Sequence, residues 1–111
     1  MFDPLTGRMA QYLDLLADRQ KLVAANIANA DTPGYKTKDI DFHFEFQSLL
    51  DGAAPHVIEP EGLKTKNDGN NVDVDREMRL LSENSMRFNL VSQLVKGDAR
   101  DIRLAIKDAR G

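Results

Sequence analysis

The chain has 111 residues, room for one domain and no more. It contains no cysteine, which excludes a disulfide framework and a thiolate metal site. Net charge is −3, and the lysines and arginines are interspersed with acids and form no basic block, so nucleic acid is not an expected partner.

Met1-Phe2-Asp3-Pro4 lacks a basic region followed by an apolar one, so no cleaved signal peptide is expected. No apolar run approaches a membrane span, so no direct membrane insertion is expected either. A first helix is predicted over about residues 4–30. Asp3 is placed to cap it, and Pro4 stands where a missing N–H costs nothing. Met9, Leu13, Leu16, Val23 and Ile27 fall on one stripe with alternating gaps of four and three, interrupted by Gln20. Tyr12, Leu15 and Leu22 widen that stripe beyond the needs of a two-helix seam. The helix must end at Asp31-Thr32-Pro33-Gly34-Tyr35, because Pro before Gly is the preferred centre of a type II turn and Thr32 precedes proline.

Residues 31–72 hold three of the four prolines. Ile40, Phe42, Phe44 and Phe46 alternate with polar residues, the period of a half-buried strand. Such a strand has no evident mate within the chain, so it is expected to order only against a partner. Gln47-Ser48-Leu49-Leu50 suits a helical turn, and Gly52 to Asn71 reads as loop or disorder.

A second long helix is predicted over about residues 73–109, capped by Asp73 or Asp75. Its stripe is Val74, Met78, Leu81, Ser85, Phe88, Ser92, Val95, Ala99, Ile102 and Ile106, broadened by Leu80, Leu90, Val91, Leu94 and Leu104. Asp75–Arg79 and Glu83–Arg87 are spaced for i,i+4 ion pairs with the acid first. Gly97 is the weak point of this helix, at about 1 kcal/mol relative to alanine.

The most specific stretch runs from Ala24 to Lys36. Small residues at Ala24, Ala25, Ala28 and Ala30 allow close approach of another helix. Asn26 and Asn29 lie three apart on one face, where two amides fix register by hydrogen bonding. The plainer alternative is an ordinary helix end with solvated asparagines.

This stretch resembles the N-terminal pattern of bacterial flagellar rod and hook proteins, Ala-Asn-Asn-Ile-Ala-Asn-Ala-Asn-Thr-Pro-Gly-Tyr-Lys, with Ala25 and Asp31 in place of two asparagines. A second run, Asp68-Gly69-Asn70-Asn71-Val72-Asp73-Val74-Asp75-Arg76-Glu77-Met78 followed by Leu81, Asn84 and Phe88, resembles the approach to the C-terminal helix of proximal rod subunits. The residues after Gly97 depart from that family's lysine-rich end. The resemblance implies a structural subunit of the flagellar basal-body rod. Its partners would be copies of itself, other rod and basal-body proteins, and the flagellar type III export apparatus. It implies a periplasmic position in the cell envelope, reached unfolded and without a cleaved signal.

No catalytic, cofactor or metal residue is expected. A calcium loop with Gly69 at its sixth position would place Lys64 and Lys66 as ligands. His43 and His56 lack a second histidine at ligand spacing, and Ser82, Ser85 and Ser92 lack a nucleophile-elbow pattern. The expected fold is all-α: two long terminal helices paired as a coiled-coil-like hairpin, with a turn-rich, partly disordered middle, in a single domain over 1–111. The expected assembly surface comprises Leu13, Leu16, Val23, Asn26, Ile27 and Asn29 of the first helix and Thr32, Pro33, Gly34 and Tyr35 of the turn. Met78, Leu81, Phe88, Val95 and Ile102 of the second helix complete it. The alternative function is a soluble helical adaptor or export chaperone that binds a partner helix.

Overall fold

The computed structural model describes residues 4–47 and 55–109. The proposed Asp3 cap and most of the 47–50 turn lie outside these residues. So does the start of the 52–71 loop, together with the side chains of His43, Phe46, Ala99, Ile102, Leu104 and Ile106.

The elements run α1 (Pro4–Ala28), β1 (Asp39–Ile40), α2 (Phe42–Gln47), β2 (Val57–Ile58) and α3 (Val74–Ala109). The two long helices α1 and α3 pair as an antiparallel hairpin in a body of 70 × 27 × 18 Å. Tyr12 meets Arg87, Gln20 meets Ser85, and Asn26 meets Glu77, so the numbers run in opposite directions along the seam. Continuing that register brings the start of α1 opposite the Gly97 region, while α3 runs on through Gly97 to Ala109.

The interior is small and unusually polar. Among the described residues, the buried apolar side chains are Leu15, Leu16, Val23, Ile40 and Val72, each worth roughly 1.5–3 kcal/mol. The buried polar ones are more numerous: Asn26, Thr37, Asp39, Glu45, Asn70, Asn71, Glu77 and Asn84. On α3 the seam is turned relative to the predicted stripe. Glu77 and Asn84 face inward, Leu81 is half-buried, and Met78 and Ser85 are exposed. Inward placement of Glu77 requires hydrogen-bonding partners for its carboxylate.

The middle segment corrects two sequence expectations. The alternating run Ile40–Phe46 is not one strand: only Asp39–Ile40 is extended, and Phe42–Gln47 is helical. Asp41 explains the switch. Its Oδ1 accepts the Phe44 N–H at 3.2 Å, an N-cap bond that starts α2. Phe42 then packs edge-on against Tyr12 at 5.3 Å between ring centroids, with the Arg19 guanidinium 5.5 Å from its ring. Nor is β1 alone. It pairs antiparallel with Val57–Ile58, from a stretch read as loop, in the register Asp39↔Ile58 and Ile40↔Val57.

α3 is capped by Asp73, just before its first residue, whose Oδ1 accepts the Arg76 N–H at 3.1 Å. Glu83–Arg87 closes at 2.6 Å, whereas Asp75 and Arg79 form no ion pair among the described residues.

Candidate assembly surface and the clasp that shapes it

The two motifs of the sequence fold onto each other where α1 ends and α3 begins. The turn Thr32–Tyr35 is closed by Tyr35 N–H donating to Thr32 O at 3.2 Å, with Pro33-Gly34 at its centre and Gly34 at φ +74°. A second turn, Lys66–Gly69, is closed by Gly69 N–H to Lys66 O at 2.9 Å, and Gly69 has φ +86°. The turns touch glycine to glycine. A Cβ on Gly69 would stand 3.3 Å from Gly34 Cα, and Gly34 N–H donates to Asp68 O at 2.9 Å.

Asn70 ties the turns to the end of α1. Its Nδ2 donates to Asn29 O and Thr32 O, both at 2.9 Å, and its Oδ1 accepts the Val72 N–H at 2.8 Å. Asn71 continues the lacing. Its Oδ1 accepts Thr37 N–H at 2.6 Å, its carbonyl accepts Thr37 Oγ1 at 3.2 Å, and its own N–H donates to Tyr35 O. Lys36 Nζ reaches Gly69 O, and Lys66 Nζ reaches Ala30 O.

Deeper in, Asn26 is fully buried and makes four hydrogen bonds. Its Nδ2 donates to Lys38 O at 2.8 Å and to Glu77 Oε1. Its Oδ1 accepts Lys38 N–H at 3.0 Å and Tyr35 O–H at 3.1 Å. One amide therefore joins α1, the strand approach, the turn and α3.

The other Glu77 oxygen accepts Arg76 Nη1 at 2.7 Å. Arg76 Nη2 also donates to Asp39 Oδ2 at 2.7 Å, and Arg19 grips Asp39 with two bonds at 2.9 and 3.1 Å. The Ile40 N–H completes the Asp39 shell at 2.7 Å. Burial alone would push the Asp39 carboxyl up. Hydrogen bonds from Arg19, the Ile40 N–H and Arg76, with the Arg19 charge, outweigh it and hold Asp39 below its ordinary 3.8. At the far side Glu45, itself buried, takes the N–H and Nδ1 of exposed His56 at 2.9 and 3.0 Å.

The residues expected at an assembly surface divide by exposure. Leu16, Val23 and Asn26 are buried within the chain, while Leu13, Ile27, Asn29, Tyr35, Leu81 and Val95 are half-buried. Thr32, Pro33, Gly34, Met78 and Phe88 are exposed. Ile102 lies in α3, with its side chain outside the description. Sequence reasoning did not single out Asp39 or Arg19, and it named Arg76 only within the second motif; Asp39 meets these arginines from 20 and 37 positions away. It read Asn70 and Asn71 as part of a motif and Glu77 as an acid near a helix start. A pair of consecutive asparagines after Asp-Gly was the available signal.

Outside the clasp, apolar area remains in solvent. Met86 is 72% exposed, Leu90 59% and Leu94 48%, one per turn along α3. Phe44, Val57 and Ile58 add a second exposed group near the sheet. Such area is left over after the chain has closed its own hairpin. No helix among the described residues is long and apolar enough to cross a membrane.

The fold and clasp define a helical-hairpin subunit whose polar interior closes its own hairpin and whose surplus apolar surface faces outward. Residues 13–36 match the family described as flagella basal body rod protein. The chain is 32% identical to the flagellar basal body rod protein FlgB of Yersinia ruckeri, over 90% of this chain and 93% of that one. It is 31% identical to the FlgB of Borrelia hermsii over 87% and 91% of the two chains. With the FlgB of Escherichia coli strain K12 it shares 32% over 79% and 82%. The chain belongs to the FlgB family of flagellar basal body rod proteins and is a structural component of that rod.

Proposed function

We propose that this chain acts as a single rod-subunit domain of the proximal rod, polymerising through the outward faces of its N- and C-terminal helices. The observation that carries this reading is the exposed apolar row Met86, Leu90 and Leu94 on a hairpin that is already closed by its own clasp. Area left over after intrachain pairing is available to neighbours: copies of itself and other rod and basal-body proteins. In this reading Thr32, Pro33, Gly34, Met78 and Phe88 touch neighbours directly. The buried members of the expected set act by holding the turn and the helix pair in register.

The finer location is the periplasmic part of the basal body. The route there is the flagellar type III export apparatus, with the chain unfolded and no signal cleaved. The basal-body family and the rod-protein names of the relatives support this placement. Co-purification with intact basal bodies tests the assignment. The chain is expected in the rod fraction, and its absence from basal bodies would overturn the reading. An adaptor or chaperone would instead form a small soluble complex with one client. A catalytic role has no support from the rod relatives.

A further inference from the structure

The clasp contains a chemically reactive peptide link. Asp68-Gly69 sets a side-chain carboxyl beside the peptide nitrogen best able to attack it, because glycine puts no Cβ in the way of ring closure. The fold requires glycine there. Gly69 has φ +86°, and a Cβ on it would stand 3.3 Å from Gly34 Cα. The acid is in use as well, since Asp68 Oδ1 accepts the Asn70 N–H at 3.0 Å in a side-chain turn.

The reaction open to this link is internal to the chain. Gly69 N bonds to Asp68 Cγ, and the amide hydrogen leaves as water with one carboxyl oxygen and a proton from solvent. A second water then opens the succinimide. Cleavage of the N–Cγ bond restores the original link. Cleavage at the Asp68 main-chain carbonyl routes the chain through Cγ and yields isoaspartate, with no net change in mass or oxidation state.

The closed clasp opposes the first step. Asp68 is exposed, so burial does not shield it. Hydrogen bonds do. The Gly69 N–H is engaged by Lys66 O at 2.9 Å, Asp68 Oδ1 by the Asn70 N–H, and Asp68 O by the Gly34 N–H at 2.9 Å. The attacking nitrogen and the carboxyl it must meet are pinned to different partners. Opening the clasp releases both. The product is in turn incompatible with the clasp. It adds a methylene to the main chain inside the Lys66–Gly69 turn, and it converts the carbonyl that receives the Gly34 N–H into a free carboxylate branch.

We propose that Asp68-Gly69 is a self-modification site gated by the clasp: isoaspartate forms there while the clasp is open, and a chain so modified cannot close it. The inference goes beyond the rod-subunit reading and does not depend on it. Time spent unclasped is written into the covalent chain.

The test incubates the full chain at neutral pH, folded in buffer or unfolded in urea. Peptide mapping, which separates isomers of equal mass, follows isoaspartate at position 68. Asp51-Gly52 is the reference, since the two links share their local chemistry and should react alike in urea. In the folded chain position 68 should react about tenfold or more slowly than in urea, because the rate scales with the open population. Asn26→Ala and the milder Thr37→Ala each remove clasp hydrogen bonds and should raise the folded-chain rate. Wild-type chains aged in urea and returned to buffer should melt lower in proportion to their isoaspartate at 68. Asp68→Glu, whose side chain is too long for this ring, should regain its own unaged melting temperature after the same treatment.

Equal rates at position 68 in buffer and urea overturn the proposal. So do clasp variants that isomerise no faster than wild type, or modified chains that melt like unaged protein. A loss of melting temperature shared by aged Asp68→Glu also overturns it, because the damage then lies elsewhere in the chain.

Discussion

Asn26 uses both amide hydrogens and accepts twice through its carbonyl, all inside the chain. Substituting Asn26→Ala leaves Glu77 Oε1, the Lys38 peptide and the Tyr35 hydroxyl with unmet hydrogen bonds. At about 1–3 kcal/mol for each buried group left unsatisfied, the loss should exceed about 3 kcal/mol. Urea denaturation followed by circular dichroism measures it. Asn29→Ala should cost only about 1 kcal/mol, because the Asn29 amide serves its own turn through Ala25 O and Thr32 at a half-exposed position. Asp39 gives a pH signature. Its carboxyl is held below its ordinary value, so its contribution is complete above about pH 4 and is lost as pH falls through the lower, folded-state value. Asp39→Asn should therefore be clearly less stable than wild type at neutral pH, and the gap should narrow below pH 4. Equal gaps at pH 7 and pH 3 would contradict the role of the Arg19 and Arg76 contacts. The sequence placed Asn26 and Asn29 on one helix face and offered register-fixing as their use. It could not separate them, because what distinguishes Asn26 is a carboxylate 51 positions away. Glu77 was legible only as an acid near a helix start, since its burial depends on arginines brought in by other segments.

At the scale of elements, the two glycines of opposite character make a matched experiment. Gly69→Ala places a Cβ against Gly34 backbone at a positive φ and should destabilise by about 1–3 kcal/mol. Gly97→Ala meets nothing within 4 Å in the middle of α3 and should stabilise by about 1 kcal/mol. Thermal melts of the two variants should move in opposite directions. The long helices were readable because their heptad stripes span many turns and their ends carry strong stop and start signals. Their mutual rotation was not, because buried Glu77 and Asn84 count as polar in any stripe. The strand pair was invisible for a different reason. Two residues per strand, Asp39–Ile40 and Val57–Ile58, carry no period, and the alternation through Phe46 was overridden by the Asp41 cap and by Phe42 docking on α1.

For the whole molecule, the middle segment and the far end of α3 should behave unlike their sequence labels. Thr37, Lys38 and Val72 donate their N–H groups to buried or half-buried amide oxygens of the clasp. Hydrogen exchange should find these amides nearly as slow as the α1 core around Leu16 and Val23. Backbone amides of α3 beyond Gly97 should exchange much faster, since α1 has ended opposite them. Rapid exchange at Thr37 in a folded sample would argue that the clasp is open in solution.

The wide separation of Asn26 and Glu77 also bears on timing. Were the chain exported as proposed, with its N-terminus leading, α1 would emerge long before Glu77 had followed. Until then Asn26 has no carboxylate to meet, and the stripe of α1 has no seam. A short helix without tertiary support is marginal in water. Closure thus waits for the trailing third of the molecule and arrives late, as a single step over a long loop. In the proposed export route, the span between the two motifs would act as a delay line, setting how much of the chain must pass before the Asn26–Glu77 contact can close.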